Sequence, residues 1–178
     1  ASAQGRHKKQ TGGAGQYGDC WLRVEPNPDA GYEFVDEVVG GHIPRGFIPA
    51  IDKGVQETMR EGVLAGYPMI DIKVAVYEGS YHPVDSNEMA FKTAARIGFQ
   101  KAIDQADPVL LEPMAHLKIT VPDSYAGSVM GDVSASRGRV EGMNAGTGTA
   151  LGQTTIEATV PYAEVTDYAT RLRSLSRG

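Results

Sequence analysis

The stretch Met69–Gln105, MIDIKVAVYEGSYHPVDSNEMAFKTAARIGFQKAIDQ, decides the fold class. Over Met69–Tyr77, Ile70, Ile72, Val74 and Val76 occupy every second position and are opposed by Asp71, Lys73, Ala75 and Tyr77. That period places one row of side chains in a core and predicts a half-buried strand. The period then changes. From about Ser86 to Gln105, Met89, Ala90, Ala94, Ile97 and Ala102 fall at helical spacing and predict one buried face. Asp85 followed three residues later by Glu88 reads as a capping box for this helix.

Upstream, Cys20, Leu22 and Val24 alternate with Trp21, Arg23 and Glu25, a second strand. The turn residues Pro26, Asn27, Pro28, Asp29 and Gly31 follow, then Tyr32, Phe34 and Val38. This order predicts a hairpin between the two runs. Ile51, Val55, Met59 and Val63 recur every fourth residue and predict an amphipathic helix ended by Gly66 and Pro68. No strand is expected before the charged, glycine-rich segment at the start. Met59, Met89, Phe91 and Phe99 read as core or core-edge residues.

Asp107 and Pro108 mark a boundary, dividing the chain into residues 1–106 and 107–178. The second part reads strand (Leu110–Val121), helix (about Asp123–Ser136), strand (Arg139–Asn144), strand (Gly152–Val160) and helix (about Ala163–Leu175). The order β-α-β-β-α is a ferredoxin-like split βαβ unit without its last strand, so an unpaired sheet position is expected. The whole chain is therefore α+β.

Composition narrows the function classes. Of 178 residues, 41% are hydrophobic and 22% charged, the balance of a globular protein, and no long uncharged apolar run occurs. Ala1–Gln10 lacks the apolar core of a signal peptide. Cys20 is the only cysteine, which leaves no internal disulfide and fits a reducing, cytoplasmic setting. His7, His42, His82 and His116 fall at no metal-ligand spacing, so no metal site is expected. The net charge of −5 argues against non-specific coating of nucleic acid. The cations are nonetheless clustered, at Arg6, Lys8 and Lys9, at Arg137 and Arg139, and at Arg171, Arg173 and Arg177. From composition alone, the favoured reading of each cluster is a solvated face.

Two loops carry the motifs. Gly13-Ala14-Gly15-Gln16-Tyr17-Gly18 matches G-x-G-x-x-G, but that fingerprint requires a strand before it and a helix after it. Here a strand follows, which leaves a glycine-rich strand entry or a flexible loop able to approach RNA closely. No phosphate-binding G-x-x-x-x-G-K-[ST] loop exists, so the chain alone is not expected to hydrolyse GTP. In Gly79-Ser80-Tyr81-His82-Pro83-Val84-Asp85-Ser86, His82 and Asp85 invite a hydrolase reading. No nucleophile elbow accompanies them, and the rival readings are a plain connection or a contact loop. In the latter, Tyr81 and His82 would offer stacking planes to RNA.

Lys8–Gly18 and Gly79–Phe91 together resemble domain IV of the elongation factor G family, the first its opening and the second its tip loop and following helix. Val109-Leu110-Leu111-Glu112-Pro113 resembles the junction into domain V, and Tyr168–Ser174 the second helix of that domain. The resemblance covers essentially the whole chain. It implies a ribosomal protein S5 domain 2-like βαβ domain followed by the truncated ferredoxin-like domain, without the domain that binds GTP. It also implies that domain IV enters the decoding site and that domain V lies near the sarcin–ricin loop and stalk base. The tip contacts for tRNA, mRNA and rRNA would then be Gly12, Gly13, Gly15, Gln16, Tyr17 and Gly18, with Gly79, Ser80, Tyr81, His82, Pro83, Val84 and Asp85. Arg137 and Arg139 would be a candidate large-subunit contact. No catalytic residue and no cofactor is implied for this chain; GTP and Mg belong to a longer parent GTPase. The implied partners are the ribosome, rRNA and the tRNA–mRNA complex, with no membrane or DNA, and a monomeric parent.

Ser134-Ala135-Ser136-Arg137-Gly138 departs from the family's Asn-Ser-Arg-Arg-Gly type sequence by one basic residue. That departure keeps open a paralogue acting in ribosome recycling or as a non-translocating ribosome binder. The Gly-Ser-Tyr-His tip differs from that of tetracycline-resistance ribosomal-protection factors.

Overall fold

The structure, a computed structural model, describes residues 1–177; Gly178, the last residue of the second part, lies outside the described residues. The chain forms two compact units, Ala1–Leu110 and Leu111–Gly178, each with its own core.

In the first unit the strands are β1 (Ser2–Lys9), β2 (Gln16–Pro26), β3 (Glu33–Asp36) and β4 (Ile72–Ser80), and the helices are α1 (Ile48–Glu61) and α2 (Glu88–Gln105). They build one sheet of order β1-β2-β4-β3. The alternation read for β2 holds, with Cys20, Leu22 and Val24 buried. These pack with Val74 and Val76 of β4 against Ile51, Val55 and Met59 of α1 and against Phe91, Ala94, Phe99 and Ala102 of α2.

The structure corrects several expectations. A strand, β1, does precede the glycine-rich segment and pairs antiparallel with β2. Its inward positions are Ala3 and Gly5, which carry too little apolar surface to show a pattern. Gly5 is small for a reason: a Cβ there would collide with Ala94 O and come within 2.5 Å of Gly98 N on α2. The Tyr32–Val38 run does not form a hairpin with β2. β2 is already flanked by β1 and β4, and β3 pairs parallel with β4. β3, α1 and β4 thus make a βαβ crossover, as a parallel pair requires.

β4 begins at Ile72, not Met69. Asp71 takes a left-handed backbone (φ 56°) and binds the turn through Asn27 N (2.7 Å) and Gly31 N (3.1 Å). Ile70 is thereby placed outside the strand and is 59% exposed. α1 stops at Gly62 (φ 77°) rather than Gly66, so Val63 only packs on the core margin. The α2 cap is Asn87, whose side chain accepts from Ala90 N, and not Asp85. Met89 stands in the first turn of α2 on its open side, 60% exposed, and Ile97 is half-buried. The buried face is carried instead by Ala90, Phe91, Ala94, Ala95, Gly98, Phe99, Ala102 and Ile103.

The second unit contains β5 (Met114–Pro122), α3 (Ala126–Ala135), β6 (Arg139–Ala145), β7 (Gln153–Pro161) and α4 (Tyr168–Ser176). β5 starts later than read, because residues 109–113 carry no regular structure and Val109, Leu110 and Leu111 are exposed. The antiparallel sheet has order β5-β7-β6. Val129 and Val133 of α3 pack on Ile119, Val121, Ile156, Ala158 and Val160, with Tyr168 and Leu172 of α4 completing the core. This is the split βαβ arrangement, and among the described residues the outer edge of β5 pairs with no strand.

Candidate nucleic-acid interface

One end of the first unit is made by two connections far apart in sequence, residues 10–15 between β1 and β2 and residues 81–87 between β4 and α2. They are fastened to each other. Tyr17 N donates to Asp85 O (2.9 Å), and Ser86 Oγ donates to Tyr17 O (2.8 Å). His82 N in turn donates to Ser86 Oγ (2.8 Å). Gly15 lies on the Asp85 carboxyl group, where a Cβ would come within 2.6 Å of Cγ. Gly18 lies on the first turn of α2, where a Cβ would come within 2.5 Å of Ala90 O.

Beneath the loops runs a chain of polar side chains. Gln4 Nε2 donates to Asp19 Oδ1 (2.7 Å), and Ser80 Oγ donates to Asp19 Oδ2 (2.7 Å). The Ser80 hydroxyl has one proton and gives it to Asp19, so the Tyr17 hydroxyl, 2.7 Å away, is the donor to Ser80. Asp19 is buried, with both oxygens engaged. The Tyr17 ring is thus held from below, with the Arg6 guanidinium 5.5 Å from its centroid and the His82 ring 6.4 Å away.

His82 does not form the imidazole–carboxylate pair of a hydrolase. Its Nδ1 accepts from Val84 N (3.2 Å) and Asp85 N (3.1 Å), while Asp85 Oδ2 stands 3.6 Å off, too long for a hydrogen bond. An accepting Nδ1 puts the ring proton on Nε2. Gln16 is fixed similarly: its Oε1 can only accept, so His7 Nε2 donates to it (2.8 Å).

All the tip residues named from sequence come to this end of the unit, but they divide by depth. Gly12, Gly13, Tyr81, His82, Pro83 and Val84 are exposed, Val84 by 82%. Gly18 is buried, and Gly79 lies against Ile43, where a Cβ would approach Cδ1 to 2.5 Å. These glycines permit the packing that supports the loops. Sequence reasoning missed Gln4, Asp19, Ser86 and Asn87: Gln4 and Asp19 find their partners across the sheet and Ser86 reaches Tyr17, none with a local signature, whereas Asn87 caps α2 through Ala90 N three residues on, a local signal passed over for Asp85.

Arg137 and Arg139 lie in the second unit. Arg137, at a left-handed position (φ 58°) after α3, forms two 2.8 Å hydrogen bonds with Glu112 and reaches Glu164 at 3.3 Å. Its bond to Glu112 raises its own pKa and holds the Glu112 carboxyl below the usual carboxylate range. Arg139 is exposed on β6.

The two units correspond to two known domains. Residues 1–107 match the family profile described as elongation factor G, domain IV, and residues 109–178 match elongation factor G C-terminus. The chain belongs to the elongation factor G family. A solved crystal structure of a protein from Thermus thermophilus is 46% identical over 100% of this chain, with a TM-score of 0.83. The chain spans 26% of the length of that protein. The two matched regions are adjoining domains of an elongation factor G-type translation factor. No helix among the described residues is long and apolar enough to cross a membrane.

Proposed function

We propose that this chain is the ribosome-engaging portion of an elongation factor G-type protein that promotes tRNA–mRNA translocation. The paired loops around Gln16 and His82 would be the surface that meets tRNA, mRNA and rRNA. The observation that carries the reading is the fastening of the two loops to each other and to α2, which presents Tyr81, His82 and the Gly12–Gly13 backbone on a stiff support. A mechanical element has to transmit displacement rather than yield to it. In the longer parent protein, a monomer of the cytoplasm, GTP and Mg²⁺ bound elsewhere would supply the energy. Arg139 would add a large-subunit contact, with Arg137 partly committed to Glu112.

The test uses the full-length parent in single-round translocation with a reading-frame assay. Gln16→Ala and His82→Asn are the informative variants. Asparagine keeps an acceptor for the Val84 and Asp85 N–H groups while removing the ring. Loss of one stacking contact is worth about 1–3 kcal/mol, or roughly 5- to 150-fold in the step it supports. Normal rate and normal frame in both variants would remove the assignment. Impaired translocation with intact ribosome recycling favours the translocase over the recycling paralogue; the reverse pattern favours the paralogue.

A further inference from the structure

The cations of the first unit are not equivalent. On α2, Lys92 is paired with Glu57 and Arg96 with Glu61, both at 2.7 Å. On the sheet face turned away from the helices, Arg23 is held by Glu25 and Glu37, and Lys73 by Glu33. Arg6, Lys8 and Lys9 enter none of the ion pairs among the described residues, nor do Arg45, Lys53, Arg60 and Lys101 of the same unit, but only the first three are gathered within four successive residues, Arg6–Lys9. All three are exposed and sit in the loop-proximal half of β1, an edge strand. In β1, Ala3 and Gly5 face the helices, so Arg6 and Lys8 point to the opposite face. Register sets Lys8 opposite Tyr17 and Arg6 opposite Asp19. Asp19 is the carboxylate nearest to them in that register, and it is buried and already shared by Gln4 and Ser80.

We propose that Arg6 and Lys8 on the outer face of β1, with Lys9 exposed at the loop end of the strand, form a phosphodiester-binding track that runs from the loops along its open edge. The ligand is an RNA backbone, and the inference rests on the ribosomal reading of the loops. Unpaired cations aligned on an open edge suit an evenly charged polyanion, whereas the paired cations elsewhere on the unit are already neutralised. The helix side at this level is closed by the contacts of Gly5 and Gly18 with α2, which leaves the outer face for the strand to follow. Bases leaving the track would meet the Tyr17 and His82 rings.

The experiment measures binding of the full-length parent to ribosomes as KCl is raised. Each phosphate contact contributes about 0.7–0.9 to the slope of log affinity against log salt, so three contribute roughly 2–3. Between about 50 and 200 mM KCl, the unaltered protein should weaken roughly 20- to 40-fold more than the variant Arg6→Gln/Lys8→Gln/Lys9→Gln. Lys8→Arg/Lys9→Arg should keep the slope, and Lys92→Gln/Arg96→Gln should leave it unchanged. A photocrosslinker replacing Lys8 should capture rRNA. An unaltered slope in the triple variant, an equal fall in the α2 variant, or capture of ribosomal protein alone overturns the track while leaving the loop assignment standing. Absence of ribosome binding by the unaltered protein overturns both.

Discussion

Gly18→Ala tests whether the loop end is held against α2. A Cβ at position 18 would lie 2.5 Å from Ala90 O, 2.6 Å from Ala90 C and 2.9 Å from Phe91 N. These atoms are helix backbone and cannot rotate away, so α2 or β2 must shift by roughly 0.5–1 Å, a gap that forfeits a quarter to a half of each dispersion contact across it. The residue most affected is Phe91, fully buried and stacked on Phe47 with ring centroids 4.9 Å apart. A buried side chain of this size makes some tens of contacts of about 0.1–0.2 kcal/mol each, and about half of them face the sheet. The loss is then about 1–2 kcal/mol, and with local strain the total reaches about 2–3 kcal/mol, within the range for overpacked cores. Trp21 is the only tryptophan and lies in β2, so its fluorescence follows the first unit alone during urea unfolding. With a slope of about 1–2 kcal/mol per molar urea, the midpoint should fall by about 1–3 M. Gly46→Ala, where nothing stands within 4 Å of the added Cβ, serves as the control and should raise stability by about 0.4–1 kcal/mol. Equal midpoints for Gly18→Ala and the unaltered chain would refute the close approach of β2 and α2.

Two further outcomes separate competing readings of single residues. Asn87→Ala should cost about 1 kcal/mol of first-unit stability through loss of the α2 cap, and Asp85→Ala clearly less; the reverse order in urea midpoints would return the cap to Asp85. Burial, reinforced by Asp19, pushes the Cys20 thiol up to about 12. The native state therefore keeps a proton that the unfolded chain releases above about pH 9, so this contribution is whole below that pH and declines as pH rises toward 12. From pH 8 to 10 the unaltered protein should lose about 1 kcal/mol more than Cys20→Ala, and identical losses would contradict the burial of the thiol.

Most of the fold was legible because most of its core is periodic. β2, β4 and α1 announce themselves through alternation or fourth-residue spacing, and the second unit has the element order read for it, although β5, α3 and α4 each begin three to five residues later than expected. What failed to show was structure made by small residues and by long-range choice. β1 buries Ala3 and Gly5, which leave no hydrophobic signature although Gly5 sits against α2. The partner of β3 could not be read locally either. A turn after β2 suggests a hairpin, but β1 and β4 take both edges of β2, and the α1 crossover delivers β3 parallel to β4. The cap was misplaced for a related reason. Asp85 is a good capping residue by type, yet its N–H is donated to His82, its carbonyl accepts from Tyr17, and its carboxyl lies against Gly15.

The glycine pattern at 13–18 shows what spacing can and cannot convey. The same spacing that elsewhere lets a pyrophosphate approach a helix here serves three separate demands. Gly13 takes a φ of 131° that side-chain-bearing residues rarely adopt, Gly15 makes room for the Asp85 carboxyl group, and Gly18 makes room for the α2 backbone. Glycine in such a run reports that something comes close; what comes close is decided by residues some 70 positions away. That distance also bears on mechanics. Because each loop is fastened to the other and not only to its own flanking strands, bending one requires breaking the Tyr17–Asp85 and Ser86–Tyr17 bonds or lifting α2 from the sheet. The stiffness of the loop end is thus a property of the packed unit. A substitution in the seam, below the loop surface proposed to meet RNA, should blunt the function of the loops without touching any of the exposed residues assigned to that contact.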